Sequence, residues 1–429
     1  MVANPVAALS PAARRYAMVI LAIVYMFNFV DRQILAILLP AIRDQFQVSD
    51  TYLGFLSGTA FAIFYVTMGI PIARYADRCN RRNLIAGAVA LWSAMTALSG
   101  MAANIWHLTL ARIGVGIGEA GCSPPAHSMI ADYYPPEKRS TAMGFYTLGI
   151  SAGIMLAYLA GGWVAQNIGW REAFFIVGVP GLLLALVVRF TLVEPQRGSS
   201  EERQDSGVQP DLLEVVSFLR SRRSFIHMAL AAGLSSFVGY SVISFLPSFM
   251  VRSFDMEIAL LGRWLGLIIG IAGGLGFFFG GYIADYLGRA GQRKSLTFIA
   301  LAVLGTCILY VLMFLAKTST MTLLLFIIPA ATSNVYLAPV LAQTQSLVSL
   351  RMRAVASALM LLIINIVGLA LGPWITGSIS DLLQPHFANE SMRYALLMVS
   401  TVVLPWAAWH FYCAGLRIDA DLARATDND

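Results

Sequence analysis

Twelve stretches of about 20 apolar residues run along the chain, separated by short polar segments. A helix of that length reaches across the hydrocarbon core of a bilayer. The approximate limits are 16–39, 51–74, 83–102, 106–131, 140–164, 172–193, 225–250, 262–284, 295–315, 320–347, 354–379 and 393–414. The runs lack the period-2 alternation of transmembrane barrel strands. Lipid offers the backbone no hydrogen-bond partner, so each run must satisfy itself as a helix. The pattern predicts an all-α polytopic membrane protein.

One long polar loop interrupts the pattern, Glu194–Asp211 (EPQRGSSEERQDSGVQPD), with six runs on each side. The expected organisation is a first six-helix bundle over 1–193, a cytoplasmic linker over 194–222, and a second six-helix bundle with a short tail over 223–429. After the loop, Leu212–Arg223 (LLEVVSFLRSRR) reads equally well as the run-in to span seven or as an interfacial helix. The halves repeat weakly. Pro125 precedes Arg139 by the same interval that separates Pro339 from Arg353, and glycines near the ends of spans five and eleven, Gly162 and Gly377, roughly correspond. Two related bundles across a linker is the architecture of alternating-access transporters.

Composition narrows the class further. Of 429 residues, 58% are hydrophobic and 12% charged, with a mean hydropathy of +0.72, more apolar surface than a soluble domain can hide. The net charge of +6 would favour anionic partners in a soluble protein, but topology explains it better. With the N-terminus inside, 21 lysines and arginines fall on inner segments. The outer segments hold only Arg43, Arg171, Arg252, Arg263, Lys317 and Arg393. Both termini are then cytoplasmic, in a cell (inner) membrane. The four cysteines show no paired spacing, which argues against a disulfide framework or a zinc site. Met1–Ser10 has no features of a cleavable signal peptide, and the first apolar run is too long for a signal core. Nucleic-acid motifs are absent.

The chemistry gathers in two apolar runs. The stretch Leu110–His127 (LARIGVGIGEAGCSPPAH) carries Arg112 and Glu119 on one helical face, roughly 10 Å apart along the axis. Gly114, Gly116 and Gly118 lie between them and permit close approach of a helix or a ligand. A charge at mid-bilayer depth costs about 2.5–3.5 kcal/mol on insertion scales, so such a face is expected to meet a polar cavity. Span one carries Asn28, Asp31 and Arg32. Asp31 and Arg112 fall at similar depth, which makes an ion pair between them geometrically reasonable. Arg32 points about 100° away from Asp31 and either snorkels outward or joins the network. By the proline register, Phe326 lies opposite Arg112 and Ser333 opposite Glu119. Spans eight to eleven hold no interior charge, and span seven offers Tyr240. His127 reads as a packing residue.

Several segments resemble known motifs. GIPIARYADRCNRR and GGYIADYLGR resemble the inner-loop motif of the major facilitator superfamily, and LARIGVGIGEAG resembles its fourth-helix motif. Ala73 and Asn80 stand where glycines are common, and the fifth-helix Gly-Pro motif is degenerate (GISAGIMLAYLAGG). The resemblance implies two pseudo-symmetric six-helix bundles with spans one and four lining a central cavity. It also implies an inner gate that includes Arg78, with Asp77 docking near Arg351 and Arg353 of span eleven and Asp285 near Arg139 of span five. Within the superfamily, NFVDRQILAILLPAI and RIGVGIGEAGCSPPAHSMIADYYP resemble the Spinster family, associated with export of lysophospholipids and sphingosine phosphate.

A cavity charged on one wall and apolar on the other suits an amphiphile whose anionic head meets Arg112 and whose tail lies against Phe326 and Tyr240. Burial opposes ionisation of a carboxylate and a nearby arginine favours it, so Asp31 or Glu119 could exchange a proton for the ligand. The expected function is proton-coupled transport of a lysolipid-like substrate by a monomer among membrane lipids, with no cofactor besides the proton. A small organic anion or drug-like compound is the alternative substrate. No metal-ligand spacing, activated nucleophile or phosphate loop supports an enzyme. A non-transporting lipid receptor is separated from a transporter by flux in liposomes.

Overall fold

The structure is a computed structural model that describes residues 10–76, 78–197, 212–289, 291–349 and 352–426. It is helical throughout these residues. The helices form twelve spans: Pro11–Phe46, 50–76, Arg81–Gly100, 105–133, Pro136–Asn167, Trp170–Thr191, Arg223–Phe254, Ile258–Gly288, Gln292–Phe314, Ser319–Ser346, 353–387 and Ser391–Thr426. Among the described residues, ten segments are long and apolar enough to cross a membrane, and the last, Val355–Arg424, takes in two helices. The exception is span four. It breaks into Ile105–Ala120 and Ser123–Tyr133, with Gly121 and Cys122 between them.

That break has a local cause and a counterpart. Pro124 and Pro125 sit in the first turn of Ser123–Tyr133, where a missing N–H costs nothing. Span ten breaks at the matching place, into Ser319–Thr332 and Leu337–Ser346, with Pro339 in the first turn of the second piece. The repeat seen in the sequence is thus a repeat of interrupted helices.

The linker segment Leu212–Ser221 is a separate helix, set off from span seven by the extended residue Arg222. Val215 and Leu219 are buried, while Leu213 and Val216 are exposed. Upstream, Glu194 is tied to span three, accepting from Arg81 Nε at 2.7 Å and from the Arg82 N–H at 2.8 Å.

The two halves meet chiefly along two seams, span two against span eleven and span five against span eight, with a smaller contact of span one on span seven. The seams are tight at the arginine-poor end. A Cβ on Gly58 would strike the Leu369 carbonyl, and one on Gly262 would strike that of Tyr158. Nearer the arginine-rich end, Gly69 of span two has open space before it. The hydrophobic core has the same bias. One buried cluster joins residues of both halves, including Leu38, Leu56, Tyr158, Phe245 and Leu261. A second belongs to spans one to six, with Leu369 and Ala370 as its only contacts from beyond the linker among the buried members. Spans two, eight and eleven each contain a π-helical stretch, at Phe55–Thr59, Ile268–Gly273 and Ile364–Leu371. Widening a helix in this way frees a carbonyl. Ala370 O accepts the Thr59 hydroxyl across the seam at 2.6 Å.

An ionic latch closes the arginine-poor end. Asp50, at the start of span two, is 1% exposed. It accepts from both terminal nitrogens of Arg252 on span seven, at 2.7 and 2.5 Å, and from the Ser380 hydroxyl of span eleven at 2.7 Å. Asp381 in turn accepts the backbone N–H groups of Asp50 and Thr51 at 2.9 and 2.8 Å, capping the start of span two.

Breaking a buried pair by removing one partner costs about 3–5 kcal/mol. Asp50→Ala is therefore expected to loosen this end. With the native cysteines replaced by serine, Leu53→Cys beside the seam should react with an impermeant maleimide at least about tenfold faster in the Asp50→Ala background. An unchanged rate would show that apolar packing alone holds this end shut.

Candidate functional site

Span one brings two charged side chains to mid-depth, and consecutive helical positions diverge by about 100°. The structure uses that divergence. Arg32 turns toward span four, where its Nη2 and Nε donate to Glu119 Oε2 at 2.6 and 3.1 Å. Glu119 is fully buried, and the Arg32 side chain retains 9% exposure. Asp31 turns instead toward span three. Trp92 and Thr96 stand beside its carboxylate without reaching hydrogen-bond geometry, and neither Asp31 oxygen has a partner.

The expected Asp31–Arg112 ion pair does not form. Arg112 donates to span-one backbone, from Nη1 to the Asp31 carbonyl at 3.1 Å and from Nη2 to the Arg32 carbonyl at 3.2 Å. The guanidinium thus staples span four to span one at the level of the charged residues. At 4% exposure it is sealed in packing. The charge-to-charge contact expected of Arg112 is made instead by Arg32, with Glu119 as its partner.

Aromatic rings surround both guanidinium groups. The Phe61 ring of span two lies 4.8 Å from Arg32 Cζ and 5.0 Å from Arg112 Cζ. Phe29 and Tyr65 add faces at 5.1 and 4.9 Å from Arg32. Cation–π contacts of this kind gain strength when desolvated. Span two reaches this position because Gly116 lacks a side chain: a Cβ there would lie 2.6 Å from the Phe61 carbonyl. The expected close approach across the span-four glycines is thus made by a helix. Tyr240, from span seven of the second half, also faces Arg32.

Asn28 stands beside Glu119 with its Nδ2 unbonded, and Glu119 Oε1 also lacks a partner. The cluster of Asn28, Asp31, Arg32, Arg112 and Glu119 therefore contains more acceptor capacity than the described side chains fill. The unpaired carboxylate oxygens leave acceptor positions for a proton.

Other expected residues fall elsewhere. Phe326 is buried in the core shared by both halves. Ser333 donates to the Pro329 carbonyl at 2.6 Å and lies 3.0 Å from the Tyr310 hydroxyl, within the second half. Neither belongs to the charged cluster. His127 is exposed, contrary to its reading as a packing residue, and sits edge-on to the Tyr146 ring at 5.4 Å. The residues expected to form an inner gate are only partly in view. Asp77 and Arg351 lie outside the described residues, as does the side chain of Asp285. Arg78 and Arg353 are exposed, and Arg139 donates to the Ala131 carbonyl at 3.0 Å.

Sequence reasoning missed Phe61 and Tyr65, although their spacing of four places them on one face of span two. It also passed over Asp50 and Asp381, charges at span ends that look solvated in the sequence.

This arrangement of twelve helices has known counterparts. Residues 21–373 match the family model "Major Facilitator Superfamily". An "MFS-type efflux pump" of Mycolicibacterium smegmatis is 32% identical, covering 94% of this chain and 93% of its own. The "Sphingosine-1-phosphate transporter SPNS2" of Xenopus tropicalis is 27% identical over 90% of this chain and 78% of its own. The crystal structure of a bacterial homolog to the human lysosomal transporter Spinster, in an inward-facing and unoccupied conformation, superposes with a TM-score of 0.88. It shares 30% identity, with 96% of this chain and 99% of that chain covered. The chain belongs to the major facilitator superfamily and, within it, to the Spinster family.

The geometry separates the two carboxylates. Glu119→Gln leaves Arg32 buried without its counter-ion and should lower the thermal unfolding midpoint more than Asp31→Asn, which breaks no ion pair. Adding Arg32→Gln to Glu119→Gln should recover part of the loss, because the two groups are coupled. Strictly additive losses in this cycle would rule out mutual stabilisation.

Proposed function

We propose that the protein is a proton-coupled secondary transporter of a lysolipid-like amphiphile, working by alternating access. The observation that carries the reading is Arg32, a guanidinium held by one carboxylate, Glu119, and walled by the rings of Phe29, Phe61 and Tyr65. An anionic head group competes with Glu119 for Arg32. Protonating Glu119 removes the competitor, and Asp31 supplies a second carboxylate without an ionic partner. The apolar and aromatic surroundings accept the tail. The resemblance to a sphingosine-1-phosphate transporter supports this substrate class.

In this reading residues 1–193 and 223–429 move as two bundles within a monomer, and the arginine-rich end with both termini faces the cytoplasm. The tight arginine-poor end is then the outer end, and the likeness to an inward-facing relative supports that assignment. Arg78, Arg139 and Arg353, with Asp77 and Asp285, form the inner gate.

A second reading, export of a drug-like compound, is favoured by the efflux pump relative. Flux in proteoliposomes separates the two. Labelled lysophospholipid should move faster with a pH gradient than without, and Glu119→Gln should abolish the gradient's effect. Full pH-dependent flux in both Glu119→Gln and Asp31→Asn would refute coupling through these residues. Transport of lipophilic cations with no lysolipid flux would establish the second reading.

A further inference from the structure

A cavity of about 450 Å³ opens between the arginine-rich ends of spans two and three and the middle of span four, and none of the charged-cluster residues lines it. Its lining runs from Tyr75, Asn80 and Asn83 at the rim to Gly87 and Leu91 further in, with Gly118 and Gly121 beside the span-four break forming the floor. Tyr75, Gly87 and Leu91 are all exposed, so the groove opens sideways. From Asn80 to Leu91 it extends about 16 Å along span three, close to the depth of one leaflet's hydrocarbon. The polarity changes in the sense a lipid requires, with amides at the end of the span and carbon deeper in.

Among the described residues no charged side chain lines the cavity itself, but two arginines bond residues of its rim while also donating to the carbonyls of Ala76 and Leu192. Arg197 donates to the carbonyl of Cys79, itself a lining residue, at 2.8 Å. Arg82 donates through Nε to Asn83 Oδ1 at 3.2 Å. Arg78 is exposed beside them. The nearby carboxylate Glu194 is engaged by Arg81 and by the Arg82 N–H, and Asp132 is paired with Arg81 at 2.5 Å. Asp77 lies outside the described residues. The start of span three, capped by Asn80 at 2.9 Å, adds the positive end of a helix dipole.

We propose that this groove is a binding site for an anionic glycerophospholipid of the adjoining leaflet. One acyl chain lies along Gly87 and Leu91, and the phosphate meets Arg82 and Arg197. The site is separate from the transport path and does not depend on the substrate assigned above.

Gly87 offers a direct test, because a side chain added there enters open space. The protein is equilibrated with equimolar phosphatidylglycerol and phosphatidylcholine, and the lipid it retains is counted by native mass spectrometry. The wild type should hold phosphatidylglycerol at least fivefold over phosphatidylcholine. Gly87→Phe and, independently, Arg197→Gln should each reduce that retention at least fivefold. Gly305→Phe, which also enters open space on span nine, should leave it unchanged. Undiminished retention in both groove variants, or equal retention of the two lipids, would overturn the proposal. So would displacement of phosphatidylglycerol by lysophosphatidylcholine, which would make the groove part of the substrate path.

Discussion

Two opposite charges buried side by side between spans one and four set the terms for the helices around them. Taking a guanidinium and a carboxylate out of water is expensive, and their attraction offsets that cost only if geometry and further contacts are good. Here Arg32 meets Glu119 at 2.6 Å and gains three aromatic faces. Those faces need span two drawn close, which the bare backbone of Gly116 permits. Span one must also hold Arg32 at the right height, and Arg112 does this by bonding the carbonyls of Asp31 and Arg32. Packing, glycine placement and the second arginine all follow from hosting one ion pair in an apolar bundle.

The twelve spans were legible because lipid leaves few solutions: an apolar run of the right length must be helical. Their ends were less so. Span one extends from Pro11 to Phe46, well past its apolar run, because Ser10 caps one end and left-handed Gln47 closes the other. These are local devices that hydropathy does not register. At the site, the residue types were legible and the pairing was not. Arg32 and Asp31 are neighbours, so a modest rotation of span one decides which faces span four, and tertiary packing sets that rotation. The Asp50–Arg252–Ser380 latch was beyond reach for another reason. Its partners lie far apart in the chain and each, alone, resembles an ordinary charge or hydroxyl at a helix end.

The halves share a fold but divide the chemistry. The broken helices of spans four and ten correspond, yet Glu119 precedes the break in span four while Ser333 at the break in span ten bonds within its own half. The second half contributes hydroxyls, rings and a closing surface. A transporter needs a ligand whose contacts differ between states, because one bound equally in both shifts no equilibrium. With every charged residue of the Arg32 cluster in the first half, a head group at Arg32 alone would travel with that half and bias nothing.

Tyr240 answers that difficulty. It stands on span seven, belongs to the second half, and faces Arg32 across the divide. A ligand lying between Arg32 and Tyr240 touches both moving parts, so its binding energy depends on their separation. The seams of spans two and eleven and of five and eight, with their π-helical stretches, are where that separation must change. Arg112 is poorly placed for such a role, since all its bonds stay within the first half. On the proposed reading the labour divides: one arginine holds the first half together, and the other, beside a residue of the second, is the one through which a ligand would gain leverage between them.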